Sequence, residues 1–144
     1  MRYFVEILTA LLGTLGFSVV FRSKKEHLAV LSVGGAVSWA AYILASFVFE
    51  SEPVCYFIAA AVVAVYAEVF ARVLKTPATN VLIPALLPMI PGGGLYYTMR
   101  FAISEDWQSF FSRGGATLAI ALAIALGIIS VSTVTRLLFM RNRH

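Results

Sequence analysis

The chain has 144 residues, a net charge of +4, 60% hydrophobic residues and 12% charged residues. Because a soluble domain carries about 25% charged residues, this composition predicts an integral membrane protein. It also excludes a nucleic-acid-binding domain, since the basic residues form short clusters between apolar runs and the aromatic residues are not interleaved with them.

Five apolar runs are each long enough for a transmembrane helix, which needs roughly 20 residues. They predict one all-α transmembrane domain over residues 1–144, with spans at 3–21, 28–49, 54–74, 77–103 and 114–138. The first span contains Glu6, close to its outer end. The single cysteine, Cys55, cannot form an internal disulfide.

Basic residues predict the orientation of these spans. If the chain crosses five times, three clusters fall on one side: Arg22, Lys24 and Lys25; Arg72 and Lys75; Arg136, Arg141 and Arg143. Basic loops stay in the cytoplasm, so we expect the N-terminus outside and the C-terminus in the cytoplasm of a plasma or inner membrane. The alternative, four spans, would place one basic cluster outside.

Small residues recur at four-residue spacing on two spans. They are Ala60 and Ala64 on the third span, and Ala119, Ala123 and Gly127 on the fifth. Such stripes let helix backbones approach closely in lipid, although an alanine-rich composition also produces them by chance. Five short spans enclose little volume, so we expect another chain or further copies of this one.

Glu68 and Arg72 continue the small-residue face of the third span at the same spacing. One interpretation is that the two charges neutralise each other at the interface. The other is a coupling pair, in which Glu68 takes up a proton or pairs with a substrate amine, as intramembrane carboxylates often do.

The fourth span is apolar and uncharged from residue 80 to residue 98, yet it contains helix-breaking residues: Pro84, Pro88, Pro91, Gly92, Gly93 and Gly94. A proline removes one amide donor and displaces the carbonyl four residues before it. Irregular backbone of this kind survives in a bilayer only inside protein or beside a wet cavity. A broken membrane helix is therefore a pointer to a transport site.

Two half-helices are predicted around the break. Thr76 should cap the first, with Pro77 at its first position and its end near Leu87. The glycines should form a tight turn, and the second half-helix should begin at about Leu95. Its amide donors and its positive dipole end would favour a carboxylate.

Carbonyls left free before the break would accept hydrogen bonds from an ammonium group or a cation. The carbonyls concerned belong to Asn80, Pro84 and Leu87. The predicted substrate-binding residues are Asn80, Pro84, Pro88, Pro91, Gly92, Gly93, Gly94, Tyr96, Tyr97 and Thr98. The alternative is a proline-kinked structural helix that uses its glycines for packing.

Three motifs in this region resemble the signature of the threonine/serine exporter family. They are K-x-P-A-T at Lys75–Thr79, I-P-x-x-x-P-x-I-P-G at Ile83–Gly92 and Y-Y-T-M at Tyr96–Met99. The chain is similar to the family's shorter, wholly membrane-embedded half, the YjjB-like type. The resemblance implies a YjjP-like membrane partner, and export of threonine and serine or of dicarboxylates such as succinate.

We therefore expect a secondary-transporter subunit that exports small carboxylate-bearing metabolites. The G-x-x-x-x-G-K-[ST] motif does not occur, so an ion or substrate gradient, with proton antiport first, should drive export. Neither a metal nor another cofactor is expected, because His27 and His144 have no nearby ligand set. An enzyme is not expected, since the spans lack a catalytic constellation. The alternatives are a homo-oligomeric channel and a non-transporting scaffold subunit.

Overall fold

The computed structural model describes residues 1–141, and the side chains of residues 1–138. Arg143 and His144, which entered the arguments on charge and metal binding, lie outside the described residues. The helices are α1 (Arg2–Val20), α2 (Leu28–Ser46), α3 (Glu52–Val73), α4 (Ala78–Leu86), α5 (Gly92–Ile103) and α6 (Trp107–Arg141), with 3₁₀ turns at Lys25–His27 and Leu87–Met89.

The predicted all-α membrane fold is confirmed. Within residues 1–141 there is no strand, and four helices (α1, α2, α3 and α6) are long and apolar enough to cross a membrane. Helices α4 and α5 meet this criterion only as a pair, bent by 57°. The five apolar runs therefore correspond to four continuous helices and one broken one.

Helix α2 lies at the centre and packs against α1, α3 and α4. Two adjacent glycines make this possible. A Cβ atom on Gly35 would overlap Thr14 of α1, and one on Gly34 would lie 2.9 Å from Cβ of Ala85 on α4. Small residues at helix contacts let backbones approach closely in lipid, so α2 can hold two neighbours at short range.

Helix α6 packs against α3 through a second close contact. A Cβ atom on Gly127 would lie 2.6 Å from the carbonyl oxygen of Phe57 and 3.1 Å from Cβ of Ala60. Ala60 and Ala64 are buried, which confirms the expected packing role of the α3 stripe. The stripe on α6 contributes less than expected, because Ala119 is exposed and Ala123 is only half-buried.

Three helices are followed by a non-glycine residue whose backbone φ lies in the left-handed region. Arg22 (φ 52°) follows α1, Lys75 (φ 50°) follows α3, and Glu105 (φ 56°) follows α5. In each case the next residue donates its amide to the carbonyl five residues earlier, as from Thr76 to Ala71 (2.9 Å). Glycine is usual at this position, and an L-residue there costs about 1–2 kcal/mol.

The end of the bundle where α1 and α3 end and α2 and α4 begin carries Arg22, Lys24 and Lys75, and we call it the basic end. Helix α6 begins at the opposite end. It starts at Trp107, seven residues before the predicted span. Asp106 caps it by accepting a hydrogen bond from the amide of Ser109 (3.1 Å), and the hydroxyl and amide of Ser109 together lower the pKa of this carboxyl.

We predict that Gly127→Ala destabilises the protein by about 1–3 kcal/mol, the usual cost of an overpacked contact, because its Cβ would meet the rigid carbonyl of Phe57. Thermal unfolding in one fixed detergent measures the change. Gly115→Ala is the matched control, since a Cβ atom there meets nothing within 4 Å. Equal melting temperatures for the two variants would contradict the close α3–α6 contact.

Candidate functional site

The break between α4 and α5 lies at Ile90 and Pro91. Ile90 is extended (φ −63°, ψ 123°), and Pro91 (φ −75°, ψ 58°) precedes the first turn of α5. The amide of Gly92 turns back to the carbonyl of Ile90 (2.7 Å). These two residues therefore redirect the chain by the 57° that separates the half-helices.

The carbonyls before the break are less free than the prolines suggest. The amide of Leu87 donates to the carbonyl of Pro84, and the amide of Ile90 donates to the carbonyl of Leu87 (3.3 Å). The turn at Leu87–Met89 thus supplies donors from three residues ahead in place of those that Pro88 and Pro91 lack. The expectation that the carbonyls of Pro84 and Leu87 lose their backbone partners is wrong.

The glycines do not form the turn that the sequence predicts. Helix α5 begins at Gly92 instead of Leu95, so all three glycines are helical, and none has a positive φ. Gly94 is a packing residue, because a Cβ atom there would collide with the side chain of Thr117 on α6. Gly92 and Gly93 are exposed, with nothing within 4 Å of a Cβ atom on either.

The first turn of α5 carries unsatisfied donors. Leu95 donates its amide to the carbonyl of Pro91 (3.0 Å), whereas the amides of Gly93 and Gly94 have no acceptor within residues 1–141. Together with the helix dipole they place partial positive charge at the bend. The free amide donors expected of the second half-helix are therefore present, three residues earlier than predicted, and carboxylate binding by them stays a prediction.

The ten predicted substrate-binding residues fall into two groups. Asn80 and Pro84 lie on α4, towards the basic end. The others lie at the bend and on α5: Pro88, Pro91, Gly92, Gly93, Gly94, Tyr96, Tyr97 and Thr98. Asn80 is separated from the bend by about 15 Å of helix, given the rise per residue of α4 and its 3₁₀ turn. One small ligand does not touch both groups in this arrangement.

The hydroxyl-bearing residues of α5 differ in their surroundings. Tyr96 and Tyr97 are 65% and 48% exposed, and their rings meet edge to face with centroids 5.4 Å apart. Thr98 instead faces α6, since its Cγ2 atom would lie 3.2 Å from a Cβ atom on Gly114. The Thr98 hydroxyl donates to the carbonyl of Gly94 (2.7 Å), so its proton is engaged within α5.

Helix α5 makes its packing contacts with α6, and none of its side chains is buried. Leu95, Met99 and Ile103 are 54%, 62% and 83% exposed. Helix α4, by contrast, packs against both α2 and α3 and buries Val81, Pro84 and Ala85. The two halves of the broken helix therefore differ in how far the chain itself covers them.

An aromatic cluster, absent from the sequence-based expectations, covers the bend from one side. Met89 is fully buried against Ala59 and Ala60, with Tyr42 and Tyr56 packed around them. The Tyr42 and Tyr56 rings lie 4.6 Å apart.

The same cluster reaches Glu6 through Trp39. The Trp39 ring stacks on Tyr42 at 5.1 Å, and its Nε1 atom donates to the carboxylate of Glu6 (3.3 Å). Glu6 also accepts a hydrogen bond from Arg2 (3.1 Å). The contact joins α1 to α2 over a separation of 33 residues, so spacing along the chain gave no signal for it.

Glu68 and Arg72 lie where the sequence places them, on one face of α3 and 3.4 Å apart. They line a groove of about 540 Å³ between α3 and α6. Ser132, Thr133 and Arg136 of α6 form its other wall. The polar pattern S-x-S-T-x-T-R at residues 130–136 could have pointed to this wall, although hydropathy counts it as part of a span.

Thr76 does not cap α4. Pro77 occupies the capping position without a side-chain hydrogen bond, and the Thr76 hydroxyl accepts from Nδ2 of Asn80 instead (3.0 Å). The predicted cap and the predicted helical position of Pro77 are therefore wrong by one residue. Thr76 and Asn80 together face a second cavity at the basic end, of about 380 Å³, which they share with the connection between α1 and α2.

Comparison with known proteins agrees with this architecture. The family model described as "Threonine/Serine exporter, ThrE" matches residues 6–134, which include the break and almost all of the helical bundle. No curated protein and no solved structure matches the chain. Since the family model matches most of the chain, this multi-pass membrane protein belongs to the threonine/serine exporter family, a family of transporters.

Proposed function

We propose that the chain is the YjjB-like half of a secondary transporter, and that with a YjjP-like partner it exports small carboxylate-bearing metabolites. Threonine and serine, or dicarboxylates such as succinate, are the substrates. The observation that carries the proposal is the bend, where the amides of Gly93 and Gly94 have no acceptor within residues 1–141 and Gly92 and Gly93 border open space.

A carboxylate fits this position for two reasons. The N-terminal amides of a helix point at the ligand, and the helix dipole favours negative charge. No acidic side chain lies in the first turn of α5, so none competes with a substrate for these donors. Gly92 and Gly93 leave the backbone approachable, which a side chain would prevent.

The partner is proposed to cover α5. Unsatisfied amides in hydrocarbon cost several kcal/mol each, so a bend of this kind needs protein or water around it. Within residues 1–141, α5 packs against α6 and the bend packs against the Met89 cluster, and no side chain of α5 is buried. A partner subunit, or a further copy of the chain, would complete the enclosure and leave a wet path beside Gly93.

The basic end is proposed to face the cytoplasm. Arg22 and Lys24 share one cavity with Thr76, and Arg72 shares a groove with Arg136. The basic clusters of separate loops therefore meet at one end of the bundle. By the positive-inside rule, this clustering supports the proposal that the N-terminus lies outside.

We predict that Gly93→Leu lowers threonine or succinate efflux at least about tenfold, because loss of hydrogen bonds to a charged group is worth about 1.5–3 kcal/mol. The leucine side chain starts in open space, since a Cβ atom at Gly93 meets nothing within 4 Å. Efflux from vesicles containing both subunits measures the effect. Gly115→Leu, also at an open glycine, is the control. Normal efflux by the Gly93 variant would remove the bend from the substrate path.

We predict that a partner shields Tyr96. Cys55 is the only cysteine and is buried, so Tyr96→Cys introduces a single accessible thiol. In detergent its reaction with a maleimide should slow several-fold when the YjjP-like subunit is co-purified. Val20→Cys on α1, at a position that is 74% exposed, should react at the same rate with and without the partner. Unchanged labelling of Tyr96→Cys in the purified complex would place the interface elsewhere.

We predict that Glu68→Gln separates driven export from exchange. If Glu68 carries the coupled proton, the variant should lose substrate accumulation driven by a pH gradient and keep substrate–substrate exchange without one. Both are measured in the same vesicles. Glu50→Gln, an exposed carboxylate beyond the end of α2, should leave both rates unchanged. If driven accumulation survives in Glu68→Gln, the Glu68–Arg72 pair is structural.

A further inference from the structure

The cavity at the basic end is built from two separate parts of the chain. Arg22, Lys24 and His27 come from the connection between α1 and α2, and Thr76, Thr79 and Asn80 come from the beginning of α4. Val81 and Pro84, both buried, close it on the side of the bundle. Its volume of about 380 Å³ lies in the range of small-molecule sites, roughly 300–1,000 Å³.

The wall of this cavity is positive and uncompensated. No carboxylate lines it among the described residues, and neither Arg22 nor Lys24 has a carboxylate partner within residues 1–141. A cleft lined by one sign of charge and walled by apolar protein raises the local concentration of ions of the opposite sign. Its occupant should therefore be an anion.

Polar side chains at the start of α4 line the same cavity as the cations and can complete the recognition of an oxyanion. Thr76 accepts a hydrogen bond from Asn80, so its own hydroxyl proton remains available. The second amide proton of Asn80 and the Thr79 hydroxyl are further donors. Hydroxyl and amide donors facing an arginine suit a carboxylate, with guanidinium geometry favouring a planar, bidentate contact.

We propose that this cavity is a binding site for the carboxylate of the exported metabolite, held by Arg22 and Lys24 before it moves to the bend. This inference rests on the proposed function. It places Asn80 in the cavity at the basic end, whereas Gly93 belongs to the binding site at the bend. The two sites are about 15 Å apart along α4, so a small substrate occupies them in turn.

The strongest test compares two substitutions that are matched in charge and in backbone conformation, of which only one changes a residue that lines the cavity. Arg22→Gly and Lys75→Gly each remove one positive charge at the basic end. Each also replaces an L-residue at nearly the same positive φ (52° and 50°), where glycine relieves backbone strain. Only Arg22 lines the cavity. Misfolding therefore does not explain a difference between them.

Lys24→Ala and Lys25→Ala form a second matched pair, since the lysines are adjacent and only Lys24 lines the cavity. Binding of radiolabelled threonine, serine and succinate is measured at equilibrium on the two-subunit complex. One set of nanodiscs contains only phosphatidylcholine, and a second set also contains anionic phosphatidylglycerol. The second lipid composition distinguishes a free carboxylate from a lipid phosphate as the occupant.

In neutral nanodiscs we expect Arg22→Gly and Lys24→Ala each to raise the Kd of at least one substrate about tenfold, the equivalent of one charge-assisted hydrogen bond. Lys75→Gly and Lys25→Ala should stay within about twofold of the parent protein.

Three results would overturn the proposal. The first is equal affinity across both matched pairs, and the second is no binding of any of the three metabolites by the parent complex. The third is an effect of Arg22→Gly or Lys24→Ala that occurs only when phosphatidylglycerol is present, which would identify a lipid headgroup site. Binding that follows the prediction while the parent complex exports nothing would instead refute the proposed function.

Discussion

The structure depends on one constraint, that backbone amides and carbonyls in a bilayer need partners. Pro84, Pro88 and Pro91 remove backbone amide donors from one span, and the backbone forms a 3₁₀ turn at Leu87–Met89. Around this turn the carbonyls of Pro84 and Leu87 accept new amides, so the groups left unsatisfied by the break lie on its other side, at the start of α5. There the amides of Gly93 and Gly94 have no acceptor in the part of the chain that the structure describes, and the proposed function uses these free donors.

The same constraint explains how the rest of the bundle handles polar groups. Buried hydroxyls bond to carbonyls of their own helices, as Thr14 does to Ala10 and Ser38 to Gly35. Within the described residues no buried side-chain nitrogen or oxygen lacks a partner. Helices α1, α2, α3, α4 and α6 pack together through glycine and alanine contacts. Helix α5 has exposed side chains and free amides, so it is the helix that we expect another protein surface to cover.

Hydropathy predicted the number of spans because it measures compatibility with lipid, and the helical ends of α1, α2 and α3 follow it within a few residues. It failed at the start of α6, where the helix continues to Trp107 through polar residues that a hydropathy window excludes. Glycine propensity misplaced the start of α5. Three glycines cost about 1 kcal/mol each in a helix, yet Pro91 at the capping position and the contact of Gly94 with Thr117 favour the helix from Gly92.

Only those features of the candidate site that depend on consecutive residues could be predicted from the sequence. The proline–glycine run indicated a break and a carboxylate-binding helix end because both properties belong to consecutive residues. The cavity at the basic end was not foreseen, since it joins Arg22 to Asn80 across 58 positions of sequence through the packing of α4 on α2. The contact of Glu6 with Trp39 is of the same kind.

The chemistry of the bend bears on which substrates the transporter could select. The carbonyl of Leu87 accepts one amide and keeps one lone pair, so it can still receive an ammonium group. An amino acid could then place its carboxylate at the amides of α5 and its ammonium group at the end of α4. A dicarboxylate needs a second set of donors, and the basic cavity is too far along α4 for one small molecule to reach from the bend. If the proposed partner covers α5, those donors would have to come from its surface, and the choice between amino acids and dicarboxylates would be made at that interface.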